Sequence, residues 1–496
     1  MIGALLFTGM WRCLVLVLAL LAAQRAHAQP SEPTDPTDPT DDEPLSEDTE
    51  LGPVVTIEAI TIRGNTATQE QIIQLALPIV PGDVLKQSDS RLRDARFKLL
   101  GLGYFRDVTV AMRKGSVRGQ VIVDIVVVER GTFVLDRLWF GRTAVAPFWL
   151  GVDVGDRNLL GLGISAGIAV IYAAPSDIVG AREQWATELR IADGSLRGTR
   201  WGLTGSLTLV HGSDFYRTRG EPNATSVGHF RGFTYRRFGG RFGTTYDITK
   251  LARLSAQLRV EAINTQLPSG PTRTLPDGRE IAVDLHLDQG ESRVITAGLG
   301  YDRDTRSDPI LPHTGSRITA AIEIGTSAIG SDYDFATGFA RYEHWWPLRD
   351  KRHTIGLRVA GGIVLGDAPR FDRIHIADVN RMLTPRALGL VLSNAAPLEI
   401  LNTRNDKPTI GELGGIASIE YAAQLFRGTG RKRVYGGDFF FGAGLWALAE
   451  TDGVPRADTS VWRDLPLDLY IDAGIRIDTD LGIFELTIAN ALGRLR

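Results

Sequence analysis

The segment Leu254-Ser-Ala-Gln-Leu-Arg-Val-Glu-Ala262 alternates without a break. Leu254, Ala256, Leu258, Val260 and Ala262 are apolar, and Ser255, Gln257, Arg259 and Glu261 between them are polar or charged. Ile318, Ala320, Ile322 and Ile324 repeat the pattern against Arg317, Thr319, Ala321 and Glu323. So do Leu469, Ile471, Ala473, Ile475 and Ile477 against Tyr470, Asp472, Gly474, Arg476 and Asp478. Successive side chains of a strand point to opposite faces, so each segment has one apolar and one polar face. Such segments recur through the last three quarters of the chain. Their apolar faces are too many to share one soluble core, and their polar faces carry full charges. A sheet closed on itself, with lipid outside and water inside, satisfies both.

The beginning of the chain fits an exported protein. Residues 1–28 read as a secretory signal: Trp11–Ala23 holds an apolar core of about ten residues, too short to span a bilayer as a helix, and Ala26-His-Ala28 is a small-x-small cleavage site. Cys13, the sole cysteine, lies in this segment, so the mature chain has no disulfide, thiolate nucleophile or cysteine metal site. Residues 29–53 form an acidic, Pro-rich linker: positions 29–50 hold nine Asp/Glu and no Lys/Arg. Such a segment has too little apolar area to fold and is expected to be disordered. Without it and the signal, 53 basic residues face 49 acidic ones, which excludes a nucleic-acid-scale basic surface. No stretch after the signal approaches the roughly 18 continuous apolar residues of a transmembrane helix. Export without a helical span, together with many amphipathic strands, points to the bacterial outer membrane.

Residues 54–130 read as a small soluble unit. Val54–Arg63 is a strand closed by the turn Gly64-Asn65. Thr68 with Gln71 makes a capping box for a helix with Ile72, Leu75 and Ala76 on one face. Ser88 caps a second helix carrying Leu92, Ala95 and Leu99. A strand follows Gly103-Tyr104-Phe105, and the β-branched run Val121–Glu129 makes a last, buried strand. The order β-α-α-β-β, with "IEAITIRGNTATQEQI" and "KLLGLGYFRDVTV", resembles a POTRA domain. This resemblance implies a periplasmic module that binds extended polypeptides along an exposed strand edge.

From residue 137 to 496 the pattern predicts a transmembrane barrel of roughly sixteen antiparallel strands. Asp156-Arg-Asn-Leu-Leu-Gly-Leu-Gly163 resembles the first hairpin of BamA/TamA barrels. Tyr301–Arg317 is similar to their mid-barrel "DxRDxxxxPxxG" turn, and Ile471–Gly482 to their penultimate strand leading into the last. With the single N-terminal POTRA, the chain is identified as a member of the BamA/TamA family of outer-membrane assembly and translocation barrels. In that family a long extracellular loop folds back into the lumen, where an Arg in a "VRGY/F" motif meets an inward Asp. Here the loop spans about residues 367–411 and the motif is absent. Its nearest arginines are Arg386 in "TPRALGL" and Arg381 in "VNRML", with Asp472 on the polar face of its strand as the partner.

Searching for chemistry yields no enzyme. Gly163-Ile-Ser-Ala-Gly167 matches a nucleophile pattern but sits in an alternating strand, where the strand-turn-helix geometry it needs is missing. The seven histidines after the signal never occur at i, i+3 or i+4, so no helical metal pair forms and no metal or cofactor is expected. "EHWWPL" at 343–348 reads as interface aromatics at a strand end. The resemblance implies a factor that inserts or translocates other proteins. The POTRA domain would receive unfolded outer-membrane or secreted clients in the periplasm, with accessory proteins as further partners. The barrel would act at the seam between its first strand, around Trp149–Asp156, and its last, Ile483–Asn490. The rival is a passive pore or structural barrel, but a loop above about 15 residues argues for a plugged lumen.

Overall fold

The computed structural model describes residues 54–494 apart from 87–88, 197–198, 220–226, 250, 276, 308–310, 351, 380–385, 394–409, 428–432 and 450–466. The signal and acidic linker therefore lie outside the described residues.

The N-terminal unit runs β1 (Val54–Arg63), α1 (Glu70–Ala76), β2 (Val84–Lys86), α2 (Ser90–Gly101), β3 (Phe105–Lys114) and β4 (Gln120–Glu129). Its sheet order is β2-β1-β4-β3, with β1 and β4 parallel. The β-branched run is β4, a central strand. Val123, Ile125 and Val127 on its inner face are fully buried against Ile73, Ala95 and Leu99 of the helices. The core residues foreseen on α2 are thus in place.

Several local expectations need correction. A short strand, β2, intervenes between the helices. No capping box forms at α1, because Gln69 is the N-cap and makes no side-chain cap bond. The Thr68 hydroxyl instead accepts from Asn158 Nδ2 at 2.9 Å. Rotation of α1 about its axis buries Ile73 and Ala76 and leaves Leu75 exposed. Ser88 lies outside the described residues, and α2 is capped by Asp89, whose carboxylate accepts from Arg91 N at 2.9 Å.

The larger unit is one antiparallel wall. Its strands are β5 (Phe133–Gly141), β6 (Trp149–Leu159), β7 (Ile164–Ala173), β8 (Gln184–Asp193), β9 (Trp201–Arg217), β10 (Phe230–Asp247) and β11 (Ala252–Gln266). They continue as β12 (Gly290–Asp304), β13 (Gly315–Gly325), β14 (Phe335–Pro347), β15 (His353–Gly366), β16 (Leu413–Arg427), β17 (Val434–Ala449), β18 (Leu467–Thr479) and β19 (Gly482–Arg494). Each pairs with the next in sequence, so the described residues contain a nearly closed wall of 15 strands, in keeping with the roughly sixteen expected. The first strand is β5, earlier than the expected Trp149–Asp156, which belongs to β6. The last, β19, extends beyond the expected Ile483–Asn490. No helix among the described residues is long and apolar enough to cross a membrane; the strands are the candidates for crossing.

Burial in the wall is inside out, which is the mark of a barrel with an apolar exterior. On β11, Arg259 and Glu261 are 4% and 6% exposed, whereas Leu258 and Val260 between them are 49% and 48% exposed. The charged face therefore lines the lumen and the apolar face looks outward. Outward aromatics sit near both rims: Trp201 with Tyr246 and Trp346 at the POTRA end, Tyr172 and Trp185 at the far end. This double girdle suits the two bilayer interfaces. Within "EHWWPL" Trp346 faces outward in that belt, with the His344 ring 4.2 Å from it on the same face. Trp345 lies 5.7 Å beneath the Arg306 guanidinium, and Glu343 pairs with Arg358.

Candidate functional site: the lumen plug, the POTRA mount and the seam

The connection between β15 and β16 leaves the far rim and folds into the lumen. Its first turn, Ala368-Pro-Arg-Phe-Asp-Arg373, is fastened on several sides. Asp372 takes both Arg259 guanidinium nitrogens, at 2.9 and 2.5 Å. Arg259 also reaches Glu323 at 3.1 Å and Glu261 at 3.1 Å, and Thr296 Oγ1 donates to Glu323 at 2.5 Å. Arg370 pairs with Asp214 on β9, and Arg373 with Glu412 at the start of β16. Phe371 lies 3.9 Å beneath the Arg237 guanidinium, which itself pairs with Glu261. Further along, Leu390 and Leu392 are fully buried against Trp149, Ile171 and Tyr235, and Thr143 Oγ1 donates 2.5 Å to Leu392 O. The excursion is therefore an ion-paired plug. Arg370 and Asp372 find opposite charges on the wall strands, which is what makes burying them tolerable.

The expected pairing of Arg386 with Asp472 is not formed. Arg386 donates to Asp378 Oδ2 at 2.7 Å and to Phe371 O at 3.2 Å, both within the plug itself. Arg381 lies outside the described residues. Asp472 does face inward, as its alternation required, but it lines a different cavity with Trp345, Arg358, Glu420 and Tyr470. Its Oδ1 is buried beneath Gly442, where any Cβ would collide with it, and has no hydrogen-bond partner among the described residues. Arg476, four residues on, takes both oxygens of Glu420 at 2.5 Å and Glu485 at 2.8 Å. The structure thus brings Arg370, Asp372 and Arg373 to the wall and keeps Arg386 and Asp472 apart. Sequence reasoning missed the functional loop residues because their partners, Asp214, Arg259 and Glu323, are scattered over three strands. The sole local signal is the charge-aromatic-charge run Arg370–Arg373 within an otherwise apolar turn.

The POTRA unit is mounted on the hairpin Asp156–Gly163, which explains the composition of that motif. Asn158 is buried: its amide donates to Thr68, and its Oδ1 accepts from Gly163 N at 2.7 Å. Gln69 N donates to Gly161 O at 3.1 Å, and Tyr104 OH to Gly163 O at 3.2 Å. Gly161 and Gly163 hold φ values of 74° and 73°, which glycine adopts without strain. The other face of the mount is Glu129, whose carboxylate accepts from Thr66 N, Thr66 Oγ1, Ala67 N and Thr68 N at 2.5–2.9 Å. Burial works to raise its pKa, but the bonds from Thr66, Thr68 and Ala67 outweigh that and hold it at about 2.

The same corner carries the barrel seam. Arg130 donates to Asp478 Oδ1 and Thr479 O, each at 3.1 Å, and lies 5.0 Å over the Tyr435 ring. Among the described residues one backbone hydrogen bond joins the first and last hairpins: Leu135 N donates to Leu481 O at 2.6 Å. Beyond that bond β5 and β19 are the two free edges of the sheet.

A lipid-facing antiparallel wall, an ion-paired plug and a small α+β domain mounted beside the seam define an outer-membrane barrel of the protein-assembly and translocation class. The Omp85 superfamily domain matches residues 158–496, and the POTRA family described as surface antigen variable number repeat matches residues 55–130. The chain belongs to the Omp85 superfamily. Members of this superfamily are outer-membrane channels for protein insertion or secretion and not enzymes, and their POTRA domains are usually periplasmic. Similar solved structures include CdiB from Escherichia coli (TM-score 0.55, 12% identity, covering 89% of this chain and 73% of that chain). BamA from Haemophilus ducreyi lacking POTRA domains 1–3 gives a TM-score of 0.49 at 12% identity, covering 89% of this chain and 82% of that one. At 12% identity the likeness to CdiB concerns the fold alone. No curated protein matches the sequence.

Proposed function

We propose that this chain inserts or translocates other proteins at the outer membrane, with its POTRA domain in the periplasm receiving unfolded client strands. The observation that carries this is the seam: the first and last strands are bonded at one end, and the client-receiving domain is mounted at that end. β3, ten residues long, is an edge strand of the POTRA sheet and offers backbone groups for β-augmentation. A client held there is delivered next to the open part of the wall, whose unpaired edges template a further strand. The plug weighs against a passive pore, since its ion-paired turn around Asp372 occupies part of the lumen beside Arg259. The test is depletion in the host. The expected result is loss of a set of outer-membrane or secreted proteins, with their unfolded forms accumulating in the periplasm. An unchanged envelope proteome with altered solute permeability would instead establish a passive barrel.

A further inference from the structure

His375 is the sole histidine between residues 367 and 411, and it is 2% exposed. It lies in a short ladder, Ile374-His375 against Ile410-Gly411, that ties the two ends of the plug together. Ala377 N donates to its Nδ1 at 3.1 Å. A ring nitrogen that accepts carries no proton, so this bond assigns the hydrogen of the neutral ring to Nε2. Nε2 is buried and has no partner among the described residues. The ring lines a small cavity at the boundary of plug and wall, with Arg370 and Arg386 of the plug and Asp214 and Tyr235 of β9 and β10.

Protonating this ring in place costs twice. The second proton has to go on Nδ1, which sets two donors face to face where Ala377 N now finds an acceptor. The charge then lies buried beside two guanidiniums, and the carboxylates around it are already engaged. Asp214 is bonded to Arg370 and to Phe215 N, and Asp378 to Arg386 and to the backbone N of His375 itself. On the neighbouring strands Glu412 serves Arg373, and Arg237 serves Glu261. Burial first, then Arg386 and Arg370, hold the imidazole well below its ordinary value of 6.5. We propose that His375 is a pH latch on the lumen plug: the neutral ring fits the docked plug, and the protonated ring is accommodated only when that segment leaves the wall. The latch goes beyond the assembly function and does not depend on it.

Undocking returns water to the ring and with it the ordinary proton affinity. A group whose pKa is depressed in one state stabilises that state above its ordinary pKa and ceases to do so as the pH falls. Docking is therefore at full strength above about pH 7 and weakens about tenfold per pH unit below about 6.5. Between pH 7.5 and 5 the ratio of undocked to docked plug should rise about 30-fold. His286 also touches the plug, through its carbonyl, which accepts from Arg370 N at 2.9 Å. Its Nδ1, however, lies 3.3 Å from Asp284, a carboxylate placed to take the charge of a protonated ring, which makes it the control.

The test reconstitutes the full chain in planar bilayers and records the ratio of open to closed time from pH 7.5 to 5. Wild type, His375→Asn and His286→Asn are compared. Asparagine keeps a side-chain acceptor but takes no proton. The latch predicts a rise of about 30-fold in wild type and in His286→Asn, and a ratio independent of pH in His375→Asn, whatever its baseline. A flat wild-type ratio, or a rise that survives in His375→Asn, overturns it. Should His375→Asn fail to dock at any pH, the wild-type ring itself decides. Its Cε1 signal, in histidine-labelled chain folded in detergent and assigned by its loss in His375→Asn, should stay at the neutral position for as long as the plug is docked. Titration of that signal with a midpoint near 6.5 while the channel stays closed overturns the latch.

Discussion

Replacing Asp372 with Ala removes the plug's strongest hold on the wall. Arg259 is 4% exposed and loses a bidentate carboxylate, with contacts of 2.9 and 2.5 Å, while keeping Glu323 and Glu261 at 3.1 Å. Breaking a buried pair so that one charge is left alone costs about 3–5 kcal/mol. Two carboxylates remain here, so the loss is nearer to one charge-assisted hydrogen-bonding group, about 2 kcal/mol. That shifts the ratio of undocked to docked plug by roughly 30-fold, since about 1.4 kcal/mol is a factor of ten. Single-channel recording in planar bilayers reads this as a rise in the open fraction of that order. Limited proteolysis in the loop should rise in parallel. Asp372→Asn, which retains one acceptor, should fall between. Asp472→Ala and Arg386→Ala serve as contrasts, because neither residue bridges plug and wall. An unchanged open fraction for Asp372→Ala, or a larger effect for Asp472→Ala, refutes the assignment of the lock to Arg259 and Asp372.

Other expectations concern the two folded units. The Glu129 carboxyl sits at about 2, below the ordinary value of about 4.3, so its stabilisation is fully present above about pH 5 and is lost as the pH falls through 2. Glu129→Gln should destabilise the POTRA unit by about 1 kcal/mol at pH 7, discounted for its partial exposure, and flatten the acid side of its urea-stability profile. Leu99 is fully buried in the POTRA core, so Leu99→Asp should cost about 4 kcal/mol or more and leave a 54–130 fragment unfolded by circular dichroism; a cooperative urea transition like the parent's would show that α2 is not packed there. The mature protein folded in mild detergent should migrate faster than boiled protein, and a helix-rich far-UV spectrum would contradict the barrel.

How much of this was legible in the sequence depended on the range of the interaction. Period-two alternation on β11, β13 and β18 is local and survives because each face meets a different solvent. Hence the barrel and the inward direction of Asp472 could be read directly. β5 was missed as a strand because a bulge between Leu135 and Arg137 breaks its alternation. The Thr68 capping box failed for a tertiary reason: its hydroxyl serves Asn158, ninety residues away. The plug was foreseen as a loop entering the lumen, but its lock was not. Arg370 and Asp372 carry no periodic signature, and their partners Asp214 and Arg259 lie more than a hundred residues upstream. Arg386 looked rigidly placed ahead of a strand-like stretch. That stretch is a two-residue ladder inside the plug, which folds Arg386 onto Asp378 instead.

The central claim is that this barrel helps other proteins into or across the membrane. Its most direct measurement is the insertion rate of a urea-unfolded eight-stranded outer-membrane barrel into lipid vesicles, with and without the full chain. The account predicts faster insertion in the presence of the chain, and loss of that acceleration in a Leu99→Asp variant whose barrel still shows heat-modifiable migration. Equal rates with wild-type chain and with empty vesicles, alongside steady ion conductance through the same chain, would contradict it.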